Sequence, residues 1–261
     1  MGGSRTADEV ASWLDGVGIA LLFPKADVVL PSVWEAVKGD REVIWSLRDP
    51  DGGFVSFTPE MEIVWRVKDE LPEHRLACVG KHLGGVATCI APRVLPSLYA
   101  LTGRAGRAED FRGTCDGLEL EVAEAVLAVG PLTAPALRAV LGAAKKDVDR
   151  AVLRLQRSLV LTNAGVVEQE RGWAAIAVDL VARRFALGPL ADEPLPDEET
   201  ARRLLVRLVL AAAGDVTTAD VAGALGWRRN QAEAVLADVA ESREADGFRI
   251  WTALPAGPAL D

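Results

Sequence analysis

Leu132-Thr133-Ala134-Pro135-Ala136-Leu137-Arg138-Ala139-Val140-Leu141-Gly142 and Val216-Thr217-Thr218-Ala219-Asp220-Val221-Ala222-Gly223-Ala224-Leu225-Gly226 are one kind of segment met twice in one chain. They align without a gap, position 132 on position 216, an offset that fits a repeated domain rather than a solenoid unit. Each begins with a threonine whose hydroxyl can accept from an orphan N–H of the first helical turn. Each then spaces its apolar residues for a helix and stops at a glycine, the residue that most readily takes a left-handed C-cap.

The flanks repeat as well. Leu118 to Val129 and Ala201 to Ala213 read as helices ahead of each copy. Lys146 to Ser158 follows the first copy as a helix, with Val148, Ala151, Val152 and Leu155 on one face. Arg228 to Ser242 follows the second, with Ala232, Val235, Leu236 and Val239 on one face. Three helices in this order are the core of a helix-turn-helix domain. A β-ribbon should complete each copy. Val160 to Asn163 and Trp173 to Leu180 are its strands in the first. In the second, Arg243-Glu244-Ala245 and Phe248 to Thr252 flank Asp246-Gly247, a strong hairpin dipeptide.

The expected fold is therefore mainly α with small β wings, an α+β chain carrying tandem winged helix-turn-helix domains. Residues 1–117 form an N-terminal helical or degenerate winged-helix domain and residues 118–187 the first winged helix. Residues 188–197 are a proline- and acid-rich linker, 198–254 the second winged helix and 255–261 a tail.

In the N-terminal part, residues 8–22 read as a helix closed by Phe23-Pro24, and a second helix starts within Leu30 to Val37. Asp49 to Gly53 is a loop. Thr58-Pro59-Glu60 opens a longer helix, with threonine as N-cap and proline in the first turn. Val86 to Ile90 is a strand and Leu95 to Leu101 a short helix.

Composition bounds the function. Of 261 residues, half are hydrophobic and 26% are charged, which excludes a disordered chain. Three cysteines without CxxC spacing, and only His74 and His82 for imidazole, give no zinc ligand set and suit a reduced compartment. No secretory leader or bilayer-length apolar run is visible, so the expectation is a cytoplasmic protein that engages no membrane. The net charge of −9 argues against nonspecific coating of DNA. Yet residues 118–190 hold 9 basic against 8 acidic groups, while both flanking segments are acidic. Any DNA contact should involve that middle segment.

Further segments then acquire meaning: Phe23-Pro24, Leu30-Pro31-Ser32-Val33-Trp34-Glu35-Ala36, Val64-Trp65-Arg66-Val67-Lys68-Asp69-Glu70-Leu71-Pro72, Gly80-Lys81 and Leu98-Tyr99-Ala100-Leu101. In this order, ahead of two helix-turn-helix units, they resemble the AlkZ-related branch of the AlkZ/YcaQ winged-helix DNA glycosylase superfamily. The resemblance extends to about residue 185. It implies tandem winged helices with a concave surface for double-stranded DNA and a role in repair or lesion recognition. It also implies that any catalysis would be hydrolysis of a damaged base's glycosidic bond, with no cofactor and no metal. Catalytic members of the superfamily carry a Gln-X-Gln or Gln-X-Asp motif. None of the three glutamines here, Gln156, Gln169 and Gln231, has glutamine or aspartate two positions on, so the catalytic signature is missing. A transcriptional regulator and a protein-binding scaffold are the rival readings.

Candidate residues follow from chemistry. Asp69 or Glu70 could orient a water against an oxocarbenium-like sugar, with Arg66 or Lys68 on a phosphate. The plain alternative is a solvated helix end. Lys81 and His82 stand between Gly80 and Gly84-Gly85, where glycines permit close approach of a phosphate, or form an ordinary basic loop. Lys145, Lys146, Arg150, Arg154 and Arg157 lie on or beside the first third helix, the three arginines at i, i+4 and i+7, able to track phosphates or simply to solvate one helix face. Arg228 and Arg229 open the second third helix, where residues often meet DNA, though their surroundings are acidic. Most of the seven tryptophans fit core positions, with Trp45 the least certain.

Overall fold

The computed structural model describes residues 6–169, 172–188, 194–245 and 247–254. Half of the expected linker, all of the tail and Asp246 of the Asp-Gly turn lie outside the described residues.

The N-terminal part begins with α1 (Ala7–Val17), whose N-cap Thr6 forms a capping box with Glu9. The helix stops five residues short of the expected 22, because Gly18 at φ 81° turns the chain and Ile19–Leu21 leaves as strand β1. All three β1 residues are buried, and a short continuous apolar run carries no period to distinguish strand from helix. Helix α2 (Val33–Lys38) is capped by Ser32. A hairpin, β2 (Ser46–Arg48) with β3 (Phe54–Phe57), encloses the expected Asp49–Gly53 loop. Helix α3 (Pro59–Glu73) follows, with Thr58 as N-cap and Met61, Val64, Val67 and Leu71 buried. Strands β4 (Cys78–Gly80) and β5 (Thr88–Ile90) join β1 in an antiparallel sheet ordered β1-β5-β4. Helix α4 (Leu95–Ala100) and a short 3-10 turn (Asp110–Gly113) close this part.

The first repeat unit runs α5 (Gly117–Val129), β6 (Leu132–Thr133), α6 (Ala134–Leu141), α7 (Lys145–Arg157), β7 (Leu161–Val167), β8 (Ala175–Leu180) and α8 (Val181–Arg184). The second runs α9 (Glu198–Ala213), β9 (Val216–Thr217), α10 (Thr218–Leu225), α11 (Arg229–Val239), β10 (Ala240–Ala245) and β11 (Phe248–Ala253). Helix α11 ends three residues before the expected Ser242, because Ala240 is already extended and pairs with Ala253.

The two units match in detail. Thr133 and Thr217 cap α6 and α10 by accepting from Ala136 N–H and Asp220 N–H. Gly142 and Gly226 both adopt the left-handed conformation that ends those helices, at φ 62° and 69°. The sheets have the same order, β6-β8-β7 and β9-β11-β10, with the short strand beside the last one. The fold is thus mixed α+β, with helices and small antiparallel sheets.

The units differ in what they bury against. The first has its own core, including Phe111, Val122, Val126, Leu137, Val148, Leu155 and Leu161. The second shares one continuous core with the N-terminal part, in which Leu205, Val209, Leu236 and Trp251 join Leu14, Trp34 and Leu95. Polar ties fasten the first unit to the rest. Arg184 Nη2 donates to the carbonyls of Pro72 and Glu73 at the end of α3, and Arg104 Nη2 to Ser158 O just past α7. Carbonyls at a helix C-terminus lack intrahelical partners and carry the negative end of its dipole, so a guanidinium suits both places. No helix among the described residues is long and apolar enough to cross a membrane.

Candidate nucleic-acid interface

A groove of about 360 Å³ opens between the N-terminal part and the first repeat unit. Lys68 of α3 and Lys81, just after β4, line one side. Asp149, Val152, Leu153 and Gln156 of α7 line the other, and Asn163, Ile176 and Val178 close the end. Two segments noted separately in the sequence, the tryptophan-to-proline run and Gly80-Lys81, thus contribute cations to one cleft.

Gln156 holds the walls together. Its Oε1 accepts from Lys81 N–H at 3.0 Å, and its Nε2 donates to Asn163 Oδ1 at 2.9 Å. Its backbone carbonyl accepts from His82 Nδ1 at 2.8 Å. Because that carbonyl can only accept, Nδ1 carries the proton and Nε2 is left to face Cys78 Sγ at 3.4 Å. Thr162 Oγ1 donates to Val79 O at 2.9 Å and completes the seam. A Cβ on Gly80 would lie 2.7 Å from His82 Nε2, so only glycine leaves room for the ring.

This corrects the reading of His82. It is 4% exposed and sits inside the seam rather than on the surface of the loop. Burial pushes its pKa down to about 4, and burial pushes the Cys78 thiol up to about 12. Both groups are therefore neutral and no thiolate–imidazolium pair forms. Sequence reasoning missed this because the partner of His82 lies 74 positions away.

The other expected residues divide. Lys68 forms an ion pair with Asp69 and lies 5.1 Å from the ring centre of Trp65. Asp69 and Glu70 are half-buried and are not among the groove's lining residues. Arg66 is exposed on α3. On α7, Lys145 pairs with Asp149 at 3.1 Å, Arg150 with Asp147 at 3.4 Å, and Arg154 with Glu119 of α5 at 2.9 Å. Two of the three arginines of the row, Arg150 and Arg154, are thus ion-paired within their own unit. Lys146 makes no ion pair among the described residues.

Arg157 faces the loop after β4. Gly85, at φ 75°, packs so closely on its guanidinium that a Cβ there would run into it. On the other side of the loop, Gly84 N lies 3.6 Å from where a Cβ of Gly226 would stand, at the turn into α11. The exposed Arg228 and Arg229 follow directly. The Lys81–Gly85 loop thus lies against Arg157 at the C-terminal end of α7 on one side and approaches Gly226, the cap of α10, on the other. Helix α7 is not a freely exposed rod.

The tryptophans divide, most of them into the core as expected. Trp34 and Trp251 are core residues, and Trp13 and Trp227 pack partly buried against the core. Trp45, Trp65 and Trp173 are exposed. Phe54, Phe57 and Trp65 form a row with ring centres 5.4 and 6.4 Å apart, and Lys68 follows it toward the groove.

Fold and site together define a class: an α+β protein with two like units of helix, strand, helix, helix and hairpin, and a largely apolar groove, lined also by two lysines, against an N-terminal part. Within that class the chain belongs to the AlkZ-related family, which it matches over residues 4–225. The match takes in both walls of the groove and stops before α11. Among solved structures, the DNA glycosylase AlkZ of Streptomyces sahachiroi is 20% identical, with a TM-score of 0.45 over 75% of this chain and 56% of its own. The DIP2311 protein from Corynebacterium diphtheriae is 16% identical, with a TM-score of 0.22 over 77% and 40%. The chain thus spans little more than half the length of the first of these. No curated protein matches.

Proposed function

We propose that this protein binds double-stranded DNA as a tandem winged-helix module serving DNA repair, and that the groove between α3, the Lys81 loop and α7 receives the backbone of a lesion-bearing strand. The carrying observation is the meeting of Lys68 and Lys81 in one cleft, continued past Gly84-Gly85 by Arg157, Arg228 and Arg229. Clustered cations from separate segments are what phosphate tracking uses, and such contacts position a protein without reading sequence. The element order and three-stranded sheet of each unit support the winged-helix reading.

Membership of the AlkZ-related family supports repair as the setting. Asp69 is held by Lys68 and stands off the groove lining, which favours recognition over hydrolysis.

The test is binding of a labelled duplex, with and without a methylated purine, over a salt series. Log affinity should fall linearly with log salt, and the lesion duplex should bind more tightly. Binding that ignores salt would leave the protein-scaffold reading.

A further inference from the structure

The hydrogen-bond chain through Gln156 has a direction. Lys81 N–H can only donate, so it selects the oxygen of the Gln156 amide. The amide nitrogen is thereby turned to Asn163, which must answer with its oxygen. Asn163 Nδ2 is then the free end of the relay. It makes no hydrogen bond among the described residues, and Asn163 is partly exposed where it lines the groove. Gln156 is 5% exposed and cannot turn over without breaking two bonds at once.

The groove end therefore presents the two Nδ2–H groups as donors, in a cleft that Lys81 and the Asp69-paired Lys68 also line. The carboxylate on the lining, Asp149, is held by Lys145. The remaining walls, Leu22, Val79, Val152, Leu153, Ile176 and Val178, are apolar and strengthen a hydrogen bond formed between them.

We infer that Asn163 is a specificity-determining donor, locked by Lys81 and Gln156, that selects a ligand carrying a hydrogen-bond acceptor, and that on nucleic acid this acceptor is a strand's phosphodiester oxygen or the acceptor edge of a base. Gln156 is a positioning residue in this account. The inference rests on the DNA-binding reading above, but it concerns the polarity of the site rather than its charge.

Two substitutions separate polarity from charge. Asn163→Asp keeps the oxygen that Gln156 needs and replaces the free donor by an anionic acceptor. Asn163→Leu is similar in shape, neutral and donates nothing. Asn163→Asp should melt within about 2 °C of the parent, whereas Asn163→Leu leaves the buried Gln156 Nε2 without its acceptor and should melt lower by several degrees, so binding is compared well below both midpoints. Affinity for a short duplex at fixed salt should fall at least about tenfold for the aspartate and about fivefold for the leucine. The Asn163 side-chain amide pair, identified in a 15N-correlation spectrum by its loss in Asn163→Asp, should shift on adding the duplex.

Leucine binding as tightly as the parent would overturn the inference, even with the aspartate weakened, because charge alone would then explain the groove. An amide pair that stays put while DNA binds would overturn it as well. If the parent protein binds no DNA, the same spectrum is recorded with inorganic phosphate. A shift of the Asn163 pair would then retain the donor site as an anion site and reject the nucleic acid, and no shift would reject both. With DNA bound, a duplex whose phosphates are replaced one at a time by uncharged methylphosphonates tells the two acceptors apart. Equal loss with parent and Asn163→Leu at every linkage assigns the base edge. A linkage whose replacement weakens only the parent assigns the phosphate.

Discussion

The backbone N–H of Lys81 donates to the side-chain oxygen of Gln156 across 75 positions of sequence, at 3.0 Å. This one bond joins the loop that carries the groove's exposed lysine to the helix that forms its opposite wall. Gln156→Leu would leave the Lys81 N–H and the Asn163 oxygen without their partner in a partly dry seam. A loss of about 1–3 kcal/mol is expected, read as a lower urea midpoint at unchanged slope. An unchanged midpoint would mean that the seam opens to water without cost.

Acid should loosen the same seam. Burial depresses the His82 pKa from 6.5 to about 4, so the unfolded chain takes up a proton that the folded one refuses. Stability from this group is present above pH 6.5 and lost as the pH falls toward 4, with slope set by the difference in bound protons. The whole effect is on the order of 3 kcal/mol, at 1.36 kcal/mol per pKa unit. Denaturation midpoints measured from pH 7 to pH 4 should fall for the parent and be flatter for His82→Gln. Parallel curves would show that His82 is not the group responsible.

Much of this architecture was legible in the sequence, and the reasons are local. Thr133, Thr217, Gly142 and Gly226 mark helix ends by cap chemistry, and the strand residues around Asp246-Gly247 announce a hairpin. Strand β1 was not legible, since Ile19-Ala20-Leu21 is buried on both faces and continues the apolar run of α1. Strand β4 was missed for a similar reason, being only three buried residues, the last of them Gly80. The site was legible as residue types but not as an assembly. Nothing in the spacing of Lys68, Lys81, Gln156 and Asn163 tells that they share a groove, and pairings of that range are set by how the first unit docks. Arg154 looked equivalent to Arg150 and Arg157 by helical spacing, until Glu119 of another helix claimed it.

Thiol chemistry offers an independent check on the packing. Cys78 and Cys89 are fully buried, and burial pushes both thiols up to about 12, whereas Cys115 is partly exposed. A disulfide reagent at pH 8 should modify Cys115 alone in the folded protein and all three cysteines in denaturant. Rapid native-state reaction at Cys78 would show that the seam beneath the groove is open.

Base release is a sharper question than binding. Hydrolysis of a glycosidic bond needs a carboxylate within reach of the attacking water, and Asp69 is engaged by Lys68 outside the groove lining while Asp149, which lines the groove, is paired with Lys145. DNA carrying a methylated purine should be bound without gaining alkali-labile sites. Strand breaks that appear with the parent and vanish in Asp69→Asn would establish a glycosylase instead.

The account stands on the two lysines acting together on phosphates, and the most direct measurement is the salt dependence of duplex binding for the parent and for Lys68→Met with Lys81→Met. Each phosphate contact contributes about 0.9 to the slope of log affinity against log salt, so the double variant should be shallower by roughly 1.8 and weaker at low salt. An identical slope and affinity in the two proteins would place the DNA elsewhere and contradict the groove as its site.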